Sequence, residues 1–91
     1  MSEAITRTFT IKNKLGLHAR AASLFVQLAC KFDSDIFVAR NGQEVNGKSI
    51  MGILILAAAQ GSEITLKAMG DDATGAISAL GELIDGGFGE D

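Results

Sequence analysis

His18 and Cys30 are the only histidine and cysteine in this 91-residue sequence, which also has no tryptophan, tyrosine or proline. Its chemistry must therefore come from few side chains. His18 lies in Gly16-Leu17-His18-Ala19-Arg20, where a break in the pattern gives way to helical spacing. A helix start offers amides without intrahelical partners and the positive end of a dipole, so it accepts anions. An imidazole titrates near neutrality, which leaves an unprotonated ring nitrogen free to attack phosphorus. The phosphoryl charge would then face the amides of Ala19 and Arg20 and the Arg20 guanidinium, whose planar fork matches phosphate oxygens. The competing reading is an exposed histidine at a helix start with an unrelated arginine nearby. One histidine and one cysteine are too few ligands for a metal site, and no strained nucleophile turn marks a Ser-His-acid triad. No cofactor is expected.

Gly42-Gln43-Glu44-Val45-Asn46-Gly47-Lys48-Ser49 fits the G-x-x-x-x-G-K-[ST] pattern of a nucleotide-phosphate loop. The match is formal. Asn41-Gly42 favours a two-residue hairpin turn, which makes 43–46 a returning strand, and Glu44 would set negative charge against triphosphate oxygens. No strand ending in a magnesium-binding aspartate follows. Nucleotide hydrolysis is disfavoured.

Lys48-Ser49-Ile50-Met51-Gly52 forms a third candidate. The Ser49 hydroxyl can cap a short helix by accepting from a free amide of the first turn. Ile50, Met51 and Leu54 supply more apolar surface than so short a helix needs for its own packing. With Lys48 beside them they read as a partner-docking patch that has a modifiable serine at its edge. Ile53 and Ile55 to Leu56 are assigned to the core.

Positioning these groups requires a definite set of elements. Ile5 to Ile11 alternates, with Ile5, Phe9 and Ile11 on one side and Thr6, Thr8 and Thr10 on the other, which predicts a half-buried strand. Ala21, Leu24, Phe25, Leu28 and Phe32 recur at steps of three and four, which predicts an amphipathic helix from near His18. Ile36 to Arg40 and Gln43 to Asn46 flank the hairpin turn. A short helix runs from Ser49 through Leu56, and Ser62 to Met69 alternates as a fourth strand. Asp71-Asp72 suits a helix start by opposing the dipole, and Ala76, Ile77, Leu80, Leu83 and Ile84 carry that helix to Gly86-Gly87. The order βαββαβα, with one-sided strands and one-sided helices, predicts an α+β fold. Its sheet is four-stranded and antiparallel, with three helices on one face. The chain is a single domain over 1–91, with 88–91 expected to be a loose tail.

Charge is distributed unevenly. Residues 1–67 hold all eight Lys and Arg against five acids, whereas 68–91 hold six acids and no base. No strongly basic face is present to bind nucleic acid, but a mildly basic surface facing an acidic partner is compatible with this pattern. The longest apolar stretch falls well short of the ~20 residues of a membrane span. The lone cysteine and the absence of a basic-then-apolar leader predict a reducing, cytoplasmic setting.

Asn13-Lys14-Leu15-Gly16-Leu17-His18-Ala19-Arg20 with Ala21-Ala22, and then Asn46-Gly47-Lys48-Ser49-Ile50-Met51-Gly52, together resemble the two signatures of a known family. It is the histidine-containing phosphocarrier (HPr) family of the bacterial phosphoenolpyruvate-dependent sugar phosphotransferase system. The resemblance spans the chain and implies an open-faced β-sandwich. It implies that Nδ1 of His18 accepts a phosphoryl group from phosphorylated Enzyme I and passes it to EIIA domains, with Arg20 steadying the phosphate. Ser49 matches the family's regulatory serine, the target of an ATP-dependent HPr kinase/phosphorylase, and Ile50, Met51 and Leu54 match its apolar docking patch. A monomer is expected. Ala21 departs from the family's usual proline, and Gln27 and Cys30 stand where several relatives carry lysines. The opening Asn-Lys-Leu-Gly and the acidic Gly87-Phe88-Gly89-Glu90-Asp91 end resemble the nitrogen-regulatory branch, whereas the serine signature resembles the kinase-regulated one. Two alternatives stand beside sugar uptake: a purely regulatory phosphorelay carrier, and a non-catalytic protein-binding module.

Overall fold

The computed structural model describes residues 4–90. Its elements are β1 (Ile5–Thr10), α1 (Ala19–Ala29), β2 (Asp35–Arg40), β3 (Gln43–Asn46), α2 (Ile50–Ile55), β4 (Glu63–Met69) and α3 (Ala73–Asp85), and the chain then closes in a 3₁₀ turn at Gly87–Gly89. The order is the predicted βαββαβα. The strands lie β1-β4-β2-β3 and every pairing is antiparallel.

Alternation in the strands decides which face is covered. Phe9 opposes Ile64, and Val38 opposes both Leu66 and Val45, so these side chains share the inner face. On the outer face Thr8 hydrogen-bonds Thr65 at 3.1 Å. There the Lys67 ammonium lies 5.3 Å from the centre of the Phe37 ring and 3.1 Å from Glu44. The inner face is closed by Ala21, Ala22, Phe25, Val26 and Ala29 of α1 and by Ala73, Ala76, Ile77, Leu80 and Ile84 of α3, in one continuous core with Ile53 of α2. Fully burying a side chain the size of Phe25 or Leu66 is worth roughly 1.5–3 kcal/mol. The one cysteine, Cys30, is free and exposed.

Asn41 and Gly42 take φ of 51° and 83°, the positive values that a two-residue hairpin turn demands, and Arg40 pairs with Gln43 across it. Ser49 caps α2 as expected, accepting from the Gly52 amide at 3.1 Å. Several expectations are corrected. Ile55 is 57% exposed and does not belong to the core, because a six-residue helix makes under two turns and only Ile53 and the following Leu56 point inward. The stripe of α1 is as expected in that Ala21 and Phe25 are buried and Leu24, Leu28 and Phe32, partly buried, pack against the core; Ala22, Val26 and Ala29 complete the buried seam. Residues 88–90 are not loose. Phe88 is 3% exposed and belongs to the core, while Asp91 lies outside the described residues. Among the described residues no helix is long and apolar enough to cross a membrane.

Asp72 precedes α3 but does not cap it with its side chain. Its carboxylate turns back to the start of β2, where it accepts from the amides of Asp33 and Ser34 at 2.8 and 2.9 Å and from the Ser34 hydroxyl. The Ser34 hydroxyl first, and then the Asp33 amide, hold this carboxyl below the usual aspartate value. A carboxyl lowered in the folded chain adds stability above its unfolded value and loses that contribution as pH falls through the lowered one. Asp72→Asn should therefore lower the thermal midpoint at neutral pH, and the deficit against the parent should shrink towards zero in acid. Thermal melts at pH 7 and pH 3 check both halves of this expectation.

Candidate functional site

The loop between β1 and α1 is held by its backbone. Gly16 has φ +67°, and a Cβ there would fall 2.3 Å from the Ala58 carbonyl oxygen, so only glycine lets the loop approach the α2–β4 connection this closely. The next residue fixes that approach, because the Leu17 amide donates to the same carbonyl at 2.9 Å and the Leu17 side chain is buried. His18 follows as the extended N-cap residue of α1. The first helical bond runs from the Ala22 amide to the His18 carbonyl at 2.8 Å. The amides of Ala19, Arg20 and Ala21 come before it, and no acidic side chain in the first turn offsets the dipole.

The imidazole makes no capping bond to these amides. Its Nε2 lies 2.6 Å from Oε2 of Glu90. The other oxygen of Glu90 accepts from Asn13 Nδ2 at 3.1 Å, and the same nitrogen donates to the Gly16 carbonyl at 2.8 Å. Asn13 is buried and so links the loop to the end of the chain. The hydrogen bond from His18, and after it the one from Asn13, hold the Glu90 carboxyl below its usual range, and the charge of Arg20 adds to the effect. An ionised carboxylate can only accept, so Nε2 bears the proton in this hydrogen bond, and in the neutral form of such a ring the lone pair lies on Nδ1.

Glu90 reaches the ring through an unusual backbone. Gly87, Phe88 and Gly89 have φ of 64°, 57° and 75°, three successive left-handed residues after the end of α3. For Phe88 that conformation costs about 1–2 kcal/mol. Burial of its ring, worth roughly 1.5–3 kcal/mol, offsets the cost.

His18, Arg20 and Glu90 line an open concavity with Lys14, Leu15 and Gly89. Two cations, Lys14 and Arg20, thus share the concavity with the imidazole, and Leu15, which also lines it, is 69% exposed. Of the residues singled out in the sequence, His18, Ala19 and Arg20 come together here. Ile50, Met51 and Leu54 form an exposed face of α2, enlarged by Ile55. Lys48 does not extend that face as a free cation, since its ammonium is drawn back to the Phe32 carbonyl at 2.7 Å. The stretch 42–49 is divided among a hairpin turn, β3 and the α2 cap, so the formal nucleotide-loop match builds no phosphate cradle. Among the described residues no group of three or more His, Cys, Asp or Glu side chains could hold a metal. Sequence reasoning missed Asn13 and Glu90. The available signal was a phenylalanine between glycines near the chain end, an apolar anchor inside a turn.

Residues 5–86 match the family model described as the PTS HPr component phosphorylation site. The chain is 50% identical over 86 residues to the phosphocarrier protein HPr of Neisseria meningitidis, an alignment that covers 94% of this chain and 97% of that protein. The crystal structure of HPr-C-His from Thermoanaerobacter tengcongensis superposes with a TM-score of 0.92 at 53% identity, covering 96% of this chain and 98% of that one. An HPr dimer from the same organism gives 0.77 at 55% identity, with coverage of 90% and 94%.

The role of Phe88 as anchor is open to direct test. Phe88→Ala should cost about 3 kcal/mol, the low end for a core phenylalanine. It should also free His18 from Glu90. Denaturant unfolding reads the first effect, and the imidazole resonances in NMR read the second.

Proposed function

Because this chain belongs to the HPr family of phosphocarrier proteins of the phosphotransferase system, we propose that it carries a phosphoryl group on Nδ1 of His18, accepting it from phosphorylated Enzyme I and passing it to EIIA proteins. The observation that carries this reading is the arrangement of the imidazole. Nε2 is taken up by Glu90, which leaves Nδ1 as the nucleophile, and the unpaired amides of Ala19 to Ala21 and the Arg20 guanidinium are available for phosphate oxygens. The role is that of a covalent relay and not of a catalyst with turnover of its own. His18, Arg20 and Glu90 all come from one chain, so a monomer suffices. Partners of this kind act in the cytoplasm, where we place the protein.

The exposed face of Ile50, Met51 and Leu54 supplies the docking surface for these partners. Ser49 at its edge is the proposed target of an HPr kinase/phosphorylase. Phosphate carries roughly −1.5 to −2 charges at neutral pH, and at the start of a helix that charge is tolerated by the fold. Its effect falls on association, because partners suited to the basic front of this chain present acidic surfaces.

Incubation with phosphoenolpyruvate and Enzyme I, followed by assay of acid-labile phosphate, tests the relay. The parent chain should label and His18→Ala should not, with its fold retained. A non-catalytic binding module would show no labile label in either. Arg20→Ala should slow uptake by roughly tenfold without abolishing it, the loss of about one charge-assisted hydrogen bond.

Ser49→Asp keeps an N-cap acceptor and adds charge. It should leave the thermal midpoint at or above the parental value and lower the rate of uptake from Enzyme I, with partial recovery on adding salt. Early unfolding or a parental rate would each contradict the assignment of Ser49.

A further inference from the structure

Glu90 lies beyond the segment 5–86 that matches the family model, yet it makes the shortest polar contact to the imidazole. Resting on the reading of His18 as the phosphoryl acceptor, we propose that Glu90 is a positioning residue for transfer in both directions: it keeps the proton on Nε2 and offsets the ring charge that appears when Nδ1 is phosphorylated.

During uptake the Nδ1 lone pair forms the N–P bond, and the electron pair of the donor's bond to phosphorus leaves with the donor. The ring then carries both Nδ1–P and Nε2–H and is formally cationic. The Glu90 carboxylate, 2.6 Å from Nε2, stands next to that charge. During release the N–P electron pair returns to Nδ1, and because Nε2 has kept its proton the ring departs as neutral imidazole. Without that proton it would have to leave as an imidazolide anion, a far poorer leaving group. A carboxylate that holds a histidine tautomer and stabilises its imidazolium has the same physical role in the triad of serine hydrolases.

Three features support the assignment. Asn13 holds the second oxygen of Glu90, so the carboxylate is fixed from two sides. The buried Phe88 and the left-handed turn around it place Glu90 there by the fold. Among the described residues the other charged groups lining this concavity, Lys14 from the β1–α1 loop and Arg20 from α1, are both cations, and Glu90 is the anion that faces them.

The test uses the full chain with Glu90→Ala, and with Glu90→Gln, which is close in shape and can still accept from Nε2–H but is uncharged. Two readouts are needed: the rate of phosphoryl uptake from phosphorylated Enzyme I, and the 15N titration of the His18 ring in the phosphorylated chain. Uptake should fall about tenfold in Glu90→Ala and about threefold in Glu90→Gln. In both variants the phosphorylated ring should lose its Nε2 proton at lower pH than in the parent. Either readout left at the parental value in both variants overturns the role of Glu90: an unmoved titration with slower uptake makes Glu90 a steric prop, and an unmoved rate makes it irrelevant to transfer. Absence of label on the parent chain is a different outcome, which removes the phosphocarrier reading and this inference with it.

Discussion

A four-stranded sheet with one apolar face must have that face covered, and here two helices long enough to do so cross it. The remaining architecture follows from this constraint. The outer face is left to Thr8, Thr65, Lys67 and Glu44, which satisfy one another in water, while Phe9, Val38, Ile64 and Leu66 demand α1 and α3 above them. Covering a single face with both helices brings the start of α1 to the end of α3, which the contact between His18 and Glu90 records across 72 positions of sequence. The site is thus a consequence of layering, built where the beginning of one covering helix meets the end of the other.

At that junction two backbone devices do the fine placement. Gly16 allows the loop before α1 to lie against the Ala58 carbonyl, and the bond from the Leu17 amide holds it there. The turn at Gly87–Gly89 sends the chain back, with the Phe88 ring buried as its anchor. Together they set a fixed carboxylate on Nε2 of the imidazole, and Asn13 joins the two by bonding to Gly16 and to Glu90.

The sequence made most of the scaffold legible because one-sided burial writes itself as period two in strands and as steps of three and four in helices. Strand order could not be read that way, but the Asn41-Gly42 turn fixed one pairing. The place of His18 at the start of α1 was legible in the break before the helical spacing, but spacing alone left an incidental surface histidine open, and it was the resemblance that singled out His18 and Arg20. The errors came where burial depends on length or on distant partners. Ile55 looked like core because its helix was imagined longer than six residues. Lys48 was assigned to the docking patch by its place beside Ile50 and Met51, and its bond to the Phe32 carbonyl, 16 positions away, is not visible in local spacing. Glu90 looked like part of an acidic tail because a left-handed turn through a phenylalanine carries no periodic signal.

An HPr-family carrier must hold its phosphoryl group and also give it up, which favours an open site with modest stabilisation over a deep one. His18, half-exposed between cations and one carboxylate, has that character. On the proposed reading Nδ1, and not Nε2, is the bonding atom. Scalar coupling between 31P and 15N in the phosphorylated, ring-labelled chain measures this directly. A one-bond coupling to Nδ1 is expected, with the proton retained on Nε2. Coupling to Nε2, or phosphate found only on another side chain, would contradict it.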